Sequence, residues 1–303
     1  MTPRVDISLT SISPRLDGLP RTLESLLAQD HAPDSVNLYL SHEPHLLDRG
    51  VPETPGPIAA LQAADPRLKV HFVPNWGPYR KLLPYLRAHW GQSRLVATAD
   101  DDTLYPRDWL GGLVAAHGVY GCAIAYRGHQ IRLKGGAPAP YRTWMRGRLE
   151  QNPGRLILPT GKDGVLYDTA FFPAAVLDIE TALRVAPTVD DLWFRWHLGL
   201  ARVPCYVLNP DYSSGTLEAD EAGDSLYRIY NQAGGNDAAV ARLDAHMDAR
   251  HGFRLADLDP GAPPRPLRPA DPPPEAGAAF APEDAELPHE LTGDMDPPPR
   301  PAP

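Results

Sequence analysis

Cysteine is scarce. The chain has two, Cys122 and Cys205, with no paired spacing that would suggest a disulfide framework or a zinc site. Each begins an apolar run, CAIAY and CYVL, that reads as a strand, so both are expected as buried, reduced thiols. Long hydrophobic runs are missing too: nothing approaches the ~18 consecutive apolar residues that span a bilayer. The opening MTPRVDISLTSIS has no charged head followed by an apolar stretch and a small-residue cleavage site. We therefore expect a cytoplasmic protein, free or peripheral to the inner face of a membrane. An excess of basic residues is also absent. The net charge is −9, carried mostly by the stretch from Leu255 onward, and the rest of the chain is close to neutral. Neither a nucleic-acid footprint nor a polybasic membrane patch is expected.

Proline, by contrast, is abundant, with 36 residues. It dominates from about Asp257 (PGAPPRPLRP, DPPPE, MDPPPRPAP), where hydrophobic periodicity ends. Such a segment buries too little apolar surface to offset chain entropy. The expected organisation is a folded domain over 1–256 and a disordered, acidic, Pro-rich tail over 257–303.

The first half alternates strand and helix signals. Val5, Ile7 and Leu9 alternate with polar residues, as in a strand. Leu19, Leu23, Leu26 and Leu27 recur at helical spacing, with Pro20 in the first turn. Strands are expected at Val36–Leu40, Leu68–Val73 and Leu95–Ala99, and helices at Ile58–Ala64, Tyr79–Trp90 and Pro106–His117. Later, Cys122–Tyr126, Gln130–Leu133 and Cys205–Leu208 read as strands, and Asp178–Val185 and Asp191–Ala201 as helices. This β-α-β-α-β-α-β order predicts an α/β fold with a mainly parallel central sheet and helices on both faces. Such sheets bind nucleotides at the carboxyl ends of their strands. The loops after Thr10, Leu40 and Ala99 should therefore share one edge.

At that edge the segment LVATADDDTLYP runs from an apolar strand into Asp100, Asp101 and Asp102. A lone Asp there would read as a helix cap. Three adjacent carboxylates repel one another and favour a divalent cation, with Mg²⁺ or Mn²⁺ suited to hard oxygen ligands and to substrate phosphates. A second pair, Asp190 and Asp191, precedes a helical stripe of Leu192, Trp196 and Leu200. It is either a helix N-terminal pair favoured by the dipole or a base for a hydroxyl proton. Between the clusters lies TGKDG, Thr160–Gly164, which is either an ordinary turn or a loop allowing close backbone approach to a ligand.

In these segments the chain resembles the GT-A glycosyltransferases of the family 2-like group, with some likeness to exostosin-like enzymes that carry a similar triple-Asp segment. The resemblance runs from about Val5 to Asn236 through SLTSISPRLDGLPRTLESLLAQ, NLYLS, GPYRKLLPYL, ATADDDTLYPRDWL, TGKDGVLY and VDDLWF. It implies a GT-A, Rossmann-like fold and transfer of a sugar from a nucleotide-diphosphate donor to a glycan or glycolipid acceptor, as in polysaccharide biosynthesis. It implies a DXD motif at Asp100 and Asp102, with Asp102 the direct ligand of Mn²⁺ or Mg²⁺, and Asp101 near the ribose or donor sugar. It implies Asp191 as the base, with Asp190 the alternative. Ser11, Ile12 and Arg15 would line the nucleotide pocket, and Ser41 and His42 would sit where the second strand meets the base or ribose. Lys81 would pair with phosphate, or else be a surface lysine. Gly161 and Gly164 would shape the acceptor side, and His197 is a poor third metal ligand.

Two other functions compete with this one. A sugar-phosphate nucleotidyltransferase would need a phosphate loop richer in glycine and basic residues than SISPRLDG. A non-catalytic sugar-nucleotide or partner-binding module would need fewer carboxylates, although a Pro-rich tail suits partner docking.

Overall fold

A computed structural model of the chain describes residues 3–146, 148–209, 227–231 and 234–268. The alternation read from the first half is realised as β1 (Val5–Thr10), α1 (Leu19–Leu27), β2 (Ser35–Leu40), α2 (Gly56–Ala64), β3 (Leu68–Phe72), α3 (Leu83–Ala88), β4 (Leu95–Ala99) and α4 (Trp109–Tyr120). Next come β5 (Ala123–Ala125) and four short strands: β6 (Gly128–Gln130), β7 (Leu133–Lys134), β8 (Ala137–Pro138) and β9 (Ile157–Pro159). The chain continues through β10 (Val165–Asp168), α5 (Ile179–Val185), α6 (Asp190–Leu200), β11 (Cys205–Val207) and α7 (Gly235–His251).

Seven strands form one sheet in the order β11-β5-β10-β4-β1-β2-β3. Pairings β1–β2, β1–β4, β2–β3 and β5–β11 are parallel, and β10 runs antiparallel between β4 and β5. The sheet is thus mainly parallel, as expected, with one reversed strand that the sequence reading did not foresee. Each strand residue faces one side or the other. Ile7, Leu38, Ala97 and Leu166 pack with Leu23, Leu26, Trp109 and Leu113 of α1 and α4. Tyr39, Val96, Val165 and Tyr167 pack on the opposite face with Tyr85, Trp193, Trp196 and Leu243 of α3, α6 and α7. Both cysteines are buried and free.

The single helix expected over Tyr79–Trp90 is two pieces, a 3-10 turn over Gly77–Lys81 and then α3. Pro84 explains the break, because it has no N–H to donate to the carbonyl of Arg80 and its ring crowds that position. The helix expected from Pro106 begins at Trp109, so the aspartates after β4 do not cap it; its N-cap is Asp108, without a side-chain cap bond. The expected boundary between Ala256 and Asp257 falls inside a buried 3-10 turn, Leu255–Leu258. Contacts then continue to Arg268, whose N–H donates to the His251 carbonyl at 2.9 Å. The rest of the Pro-rich tail lies outside the described residues.

Candidate active site

The carboxyl ends of β1, β2 and β4 meet at one edge of the sheet, and the 3-10 turn Gly77–Lys81 packs against β1 and β2 there. On β1 the inward positions are polar where this turn arrives. Ser8 Oγ donates to the Lys81 carbonyl at 2.5 Å, which fixes where the lysine side chain starts.

Lys81 then reaches into the cleft, with Nζ 2.5 Å from Asp100 Oδ1. Burial disfavours the lysine charge, but Asp100, Asp190 and Asp191 outweigh it and raise the Lys81 pKa. The two acidic clusters, far apart in sequence, therefore act on one ammonium group. Tyr105 fixes Asp100 from behind, its hydroxyl accepting the Asp100 N–H at 2.7 Å.

The three strand-end aspartates have different surroundings. Asp101 is buried and holds the loop after β1: Ser11 Oγ donates to its Oδ2 at 2.6 Å and an Arg15 guanidinium nitrogen to its Oδ1 at 2.8 Å. Ile12 caps the short turn Ser13–Arg15 and accepts the Arg15 N–H at 2.9 Å. So Ser11, Ile12 and Arg15 lie at the expected edge, with Ser11 and Arg15 bonded to Asp101. Asp102 is half-buried and 3.2 Å from Arg15. Burial, Asp100 and Asp101 push its carboxyl up to about 6.

Asp190 and Asp191 occupy the first turn of α6, where the dipole favours negative charge. Leu192, Phe194 and Leu198 anchor that helix, each contributing roughly 1.5–3 kcal/mol on full burial. Desolvation raises both carboxyls: Asp190 goes to about 8, with repulsion from Asp191 adding, while Lys81 pulls each back. The Gly161 N–H donates to Asp191 Oδ2 at 2.9 Å. A methyl group placed on Gly161 would lie 3.0 Å from Asp191 Oδ1 and 3.1 Å from Lys81 Nζ, so the TGKDG loop packs its backbone directly on both groups. Gly164 sits elsewhere. Its φ is +99°, and a methyl there would meet Trp109 at 2.4 Å. It lets the loop turn beneath the site, against α4.

Ser41 is fully enclosed and accepts the Glu43 N–H at 3.1 Å. His42 is exposed and stacks on Phe72 with ring centroids 4.1 Å apart. His197 is fully buried in α6, its Nδ1 2.9 Å from the Trp193 carbonyl. Two residues not singled out in the sequence brace the edge. Arg80, adjacent to Lys81, donates to Asp48 Oδ2 at 2.9 Å and to the Ser11 carbonyl at 3.3 Å. Asp48 Oδ1 accepts the N–H groups of Ser13 and Gly50, both at 3.0 Å. The one available signal was the adjacency of two cations in GPYRK.

Among the described residues, no three His, Cys, Asp or Glu side chains form a ready metal cage. The donor set fits instead a hard divalent cation bound through one carboxylate and completed by substrate phosphates and water, as Mg²⁺ sites commonly are. Asp102 suits that role, since a cation would offset the burial and the neighbouring carboxylates that raise its pKa.

The family model for glycosyl transferase family 2 matches residues 15–172. No curated protein matches the chain. Among solved structures, the chain is similar to S. aureus TarS residues 1–349 in complex with UDP, at 14% identity over 81% of this chain and 72% of that one, with a TM-score of 0.45. It is also similar to the mannosyltransferase PcManGT from Pyrobaculum calidifontis in complex with GDP-Man and Mn²⁺, at 16% identity over 85% and 79%, with a TM-score of 0.43. A 4-diphosphocytidyl-2C-methyl-D-erythritol synthase aligns at 14% identity over 80% and 98%, with a TM-score of 0.41. With the family model covering more than half of its length, the chain belongs to glycosyl transferase family 2 and is a glycosyltransferase.

Proposed function

We propose that the chain transfers a sugar from a nucleotide-diphosphate donor to a hydroxyl of a glycan or glycolipid, with Asp102 holding Mn²⁺ or Mg²⁺ and Asp191 acting as base. The observation that carries this reading is the shared lysine: Lys81 draws its raised pKa from both Asp100 and the Asp190–Asp191 pair, so both clusters serve one cleft. The metal would supply charge neutralisation to the departing diphosphate.

The chain's own groups divide the work. Arg15, held by Asp101, offers a guanidinium at the edge where phosphates bind. Asp191, oriented by the Gly161 N–H, accepts the proton of the acceptor hydroxyl. That oxygen forms a bond to the anomeric carbon as the bond to the diphosphate oxygen breaks, and the nucleoside diphosphate leaves. Lys81 offsets part of the burial that raises the Asp191 pKa. The acceptor class makes surface polysaccharide or glycolipid synthesis the setting for this activity. Among the described residues no helix is long and apolar enough to cross a membrane.

Thermal denaturation with a panel of nucleotide sugars, with and without Mn²⁺, tests the proposal. One donor should raise Tm only with the metal, and a ligand at a hundred times its Kd adds about 2.7 kcal/mol of stability. A Tm that no nucleotide sugar moves, with any divalent ion, would overturn it.

A further inference from the structure

A second concavity of about 870 Å³ lies between α7 and the segment running from β8 into the 3-10 turn Tyr141–Arg146. It is separate in its lining from the carboxylate cleft, and no step described above uses it. One wall is a single stripe of α7: Asp237, Ala241, Asp244 and Asp248 recur at spacings of three or four residues, so they share a face. The other wall carries Tyr141.

Four observations define what would fit. Asn236 lines this cavity, is 5% exposed, and its Oδ1 has no hydrogen-bond partner among the described residues; a buried amide oxygen of that kind is expected to be satisfied by something. Asp237 uses Oδ1 to accept the Tyr141 N–H at 2.7 Å. Asp244 uses Oδ1 for both the Trp196 indole N–H at 3.2 Å and the Leu255 N–H at 2.8 Å. Each carboxylate is thereby held in place as an oriented acceptor. Asp248 is paired with Arg265 at 2.7 Å and Arg254 faces Asp257 at 3.9 Å, which leaves Asp237 and Asp244 against Arg142 and the lining net negative. Anionic ligands are disfavoured there, while oriented acceptors beside a tyrosine suit a neutral ligand rich in hydroxyls.

One wall residue also bonds to the segment that leads into α6. Asn231, on its wall, accepts from Thr188 Oγ1 at 2.6 Å and donates to the Thr188 carbonyl at 3.2 Å. Thr188 lies two residues before Asp190. We infer that this cavity is a subsite for a neutral oligosaccharide, holding the part of the acceptor remote from the reacting hydroxyl. Binding energy gathered away from the reacting atoms can be used to position them. The inference rests on the glycosyl-transfer reading, but it concerns different residues.

Saturation-transfer NMR on the full chain tests it, with chitotetraose, maltotetraose and cellotetraose as neutral probes and a hyaluronan tetrasaccharide as the anionic one. At least one neutral probe should bind. Asn236→Leu should weaken it at least tenfold, as should Ala241→Trp, which fills the cavity from an exposed helix position without touching the core. Donor-induced thermal stabilisation should be unchanged in both variants. Asp191→Asn should bind the oligosaccharide normally, so loss of transfer in that variant speaks to the base and not to this subsite. Binding of the hyaluronan fragment alone, no binding of any neutral probe, or neutral binding that survives Ala241→Trp would overturn the inference.

Discussion

Lys81 Nζ stands 2.5 Å from Asp100 Oδ1, and the same ammonium is drawn on by Asp190 and Asp191 at the start of α6. Replacing it by methionine keeps much of the volume and removes the ion-pair partner of Asp100. Breaking a largely buried pair costs about 3–5 kcal/mol, because the remaining charge is uncompensated. Lys81→Met should therefore lower the urea midpoint markedly and abolish transfer. An unchanged midpoint would show that the carboxylates do not depend on this cation.

The two glycines of TGKDG should respond differently. At Gly161 a methyl group presses on Asp191 and Lys81 at 3.0 and 3.1 Å. Gly161→Ala should lower kcat, by about 10²-fold if the groups shift by an ångström, with little change in Tm. At Gly164 the left-handed backbone and the 2.4 Å approach to Trp109 make alanine strained and overpacked, at about 1–3 kcal/mol. Gly164→Ala should lower Tm first. Steady-state kinetics and thermal melts on the two variants would separate the effects.

The acidic pair sets a pH dependence. Burial raises both carboxyls, Asp190 to about 8, so at pH 6 the pair is more protonated than ordinary carboxylates are. A base must be ionised, and transfer should rise with pH across the interval from 6 to above 8. The limb belongs to the pair as a unit. Asp100→Asn removes a charge that raises both groups, so it should shift the limb to lower pH. Stability should move the opposite way: the folded state holds these protons more tightly than the unfolded chain, so its contribution is full below about 4 and falls as pH climbs towards 8. A flat pH–rate profile over that range would remove Asp191 as base.

Asp48 and Arg80 are each 1% exposed and 2.9 Å apart. Asp48→Asn leaves a buried guanidinium short of its counter-charge. A loss of about 3–5 kcal/mol is expected in chemical denaturation, together with a raised donor KM as the loop bearing Ser11 and Ser13 loosens. Wild-type stability and KM in this variant would show that the pair braces nothing.

Much of this was legible before folding. The run LVATA into three aspartates marked β4 and the edge of the cleft, and the leucine spacing marked α1, because local hydrophobic periodicity decides both. The direction of β10 was not legible: VLYD is too short to carry a pairing preference, and β4 and β5 on either side impose it. The partner choice of Lys81 was hidden as well, since a lysine is made buried or solvated by residues such as Asp100 and Asp191 that lie far along the chain. Asp101 was read as a donor contact, yet its oxygens go to Ser11 and Arg15, two residues read for the same pocket. The pattern grouped the right residues without giving their bonds. α7 went unread because its apolar face carries three large residues, Val240, Leu243 and Met247, set among Ala, Asp and Arg.

Donor binding measured alongside transfer in Asp102→Asn and Asp191→Asn tests the central claim most directly. Calorimetric titration with the stabilising nucleotide sugar and Mn²⁺ should show that Asp102→Asn loses metal-dependent binding, whereas Asp191→Asn binds as wild type and transfers no sugar. Wild-type donor affinity and wild-type turnover in both variants would contradict the account.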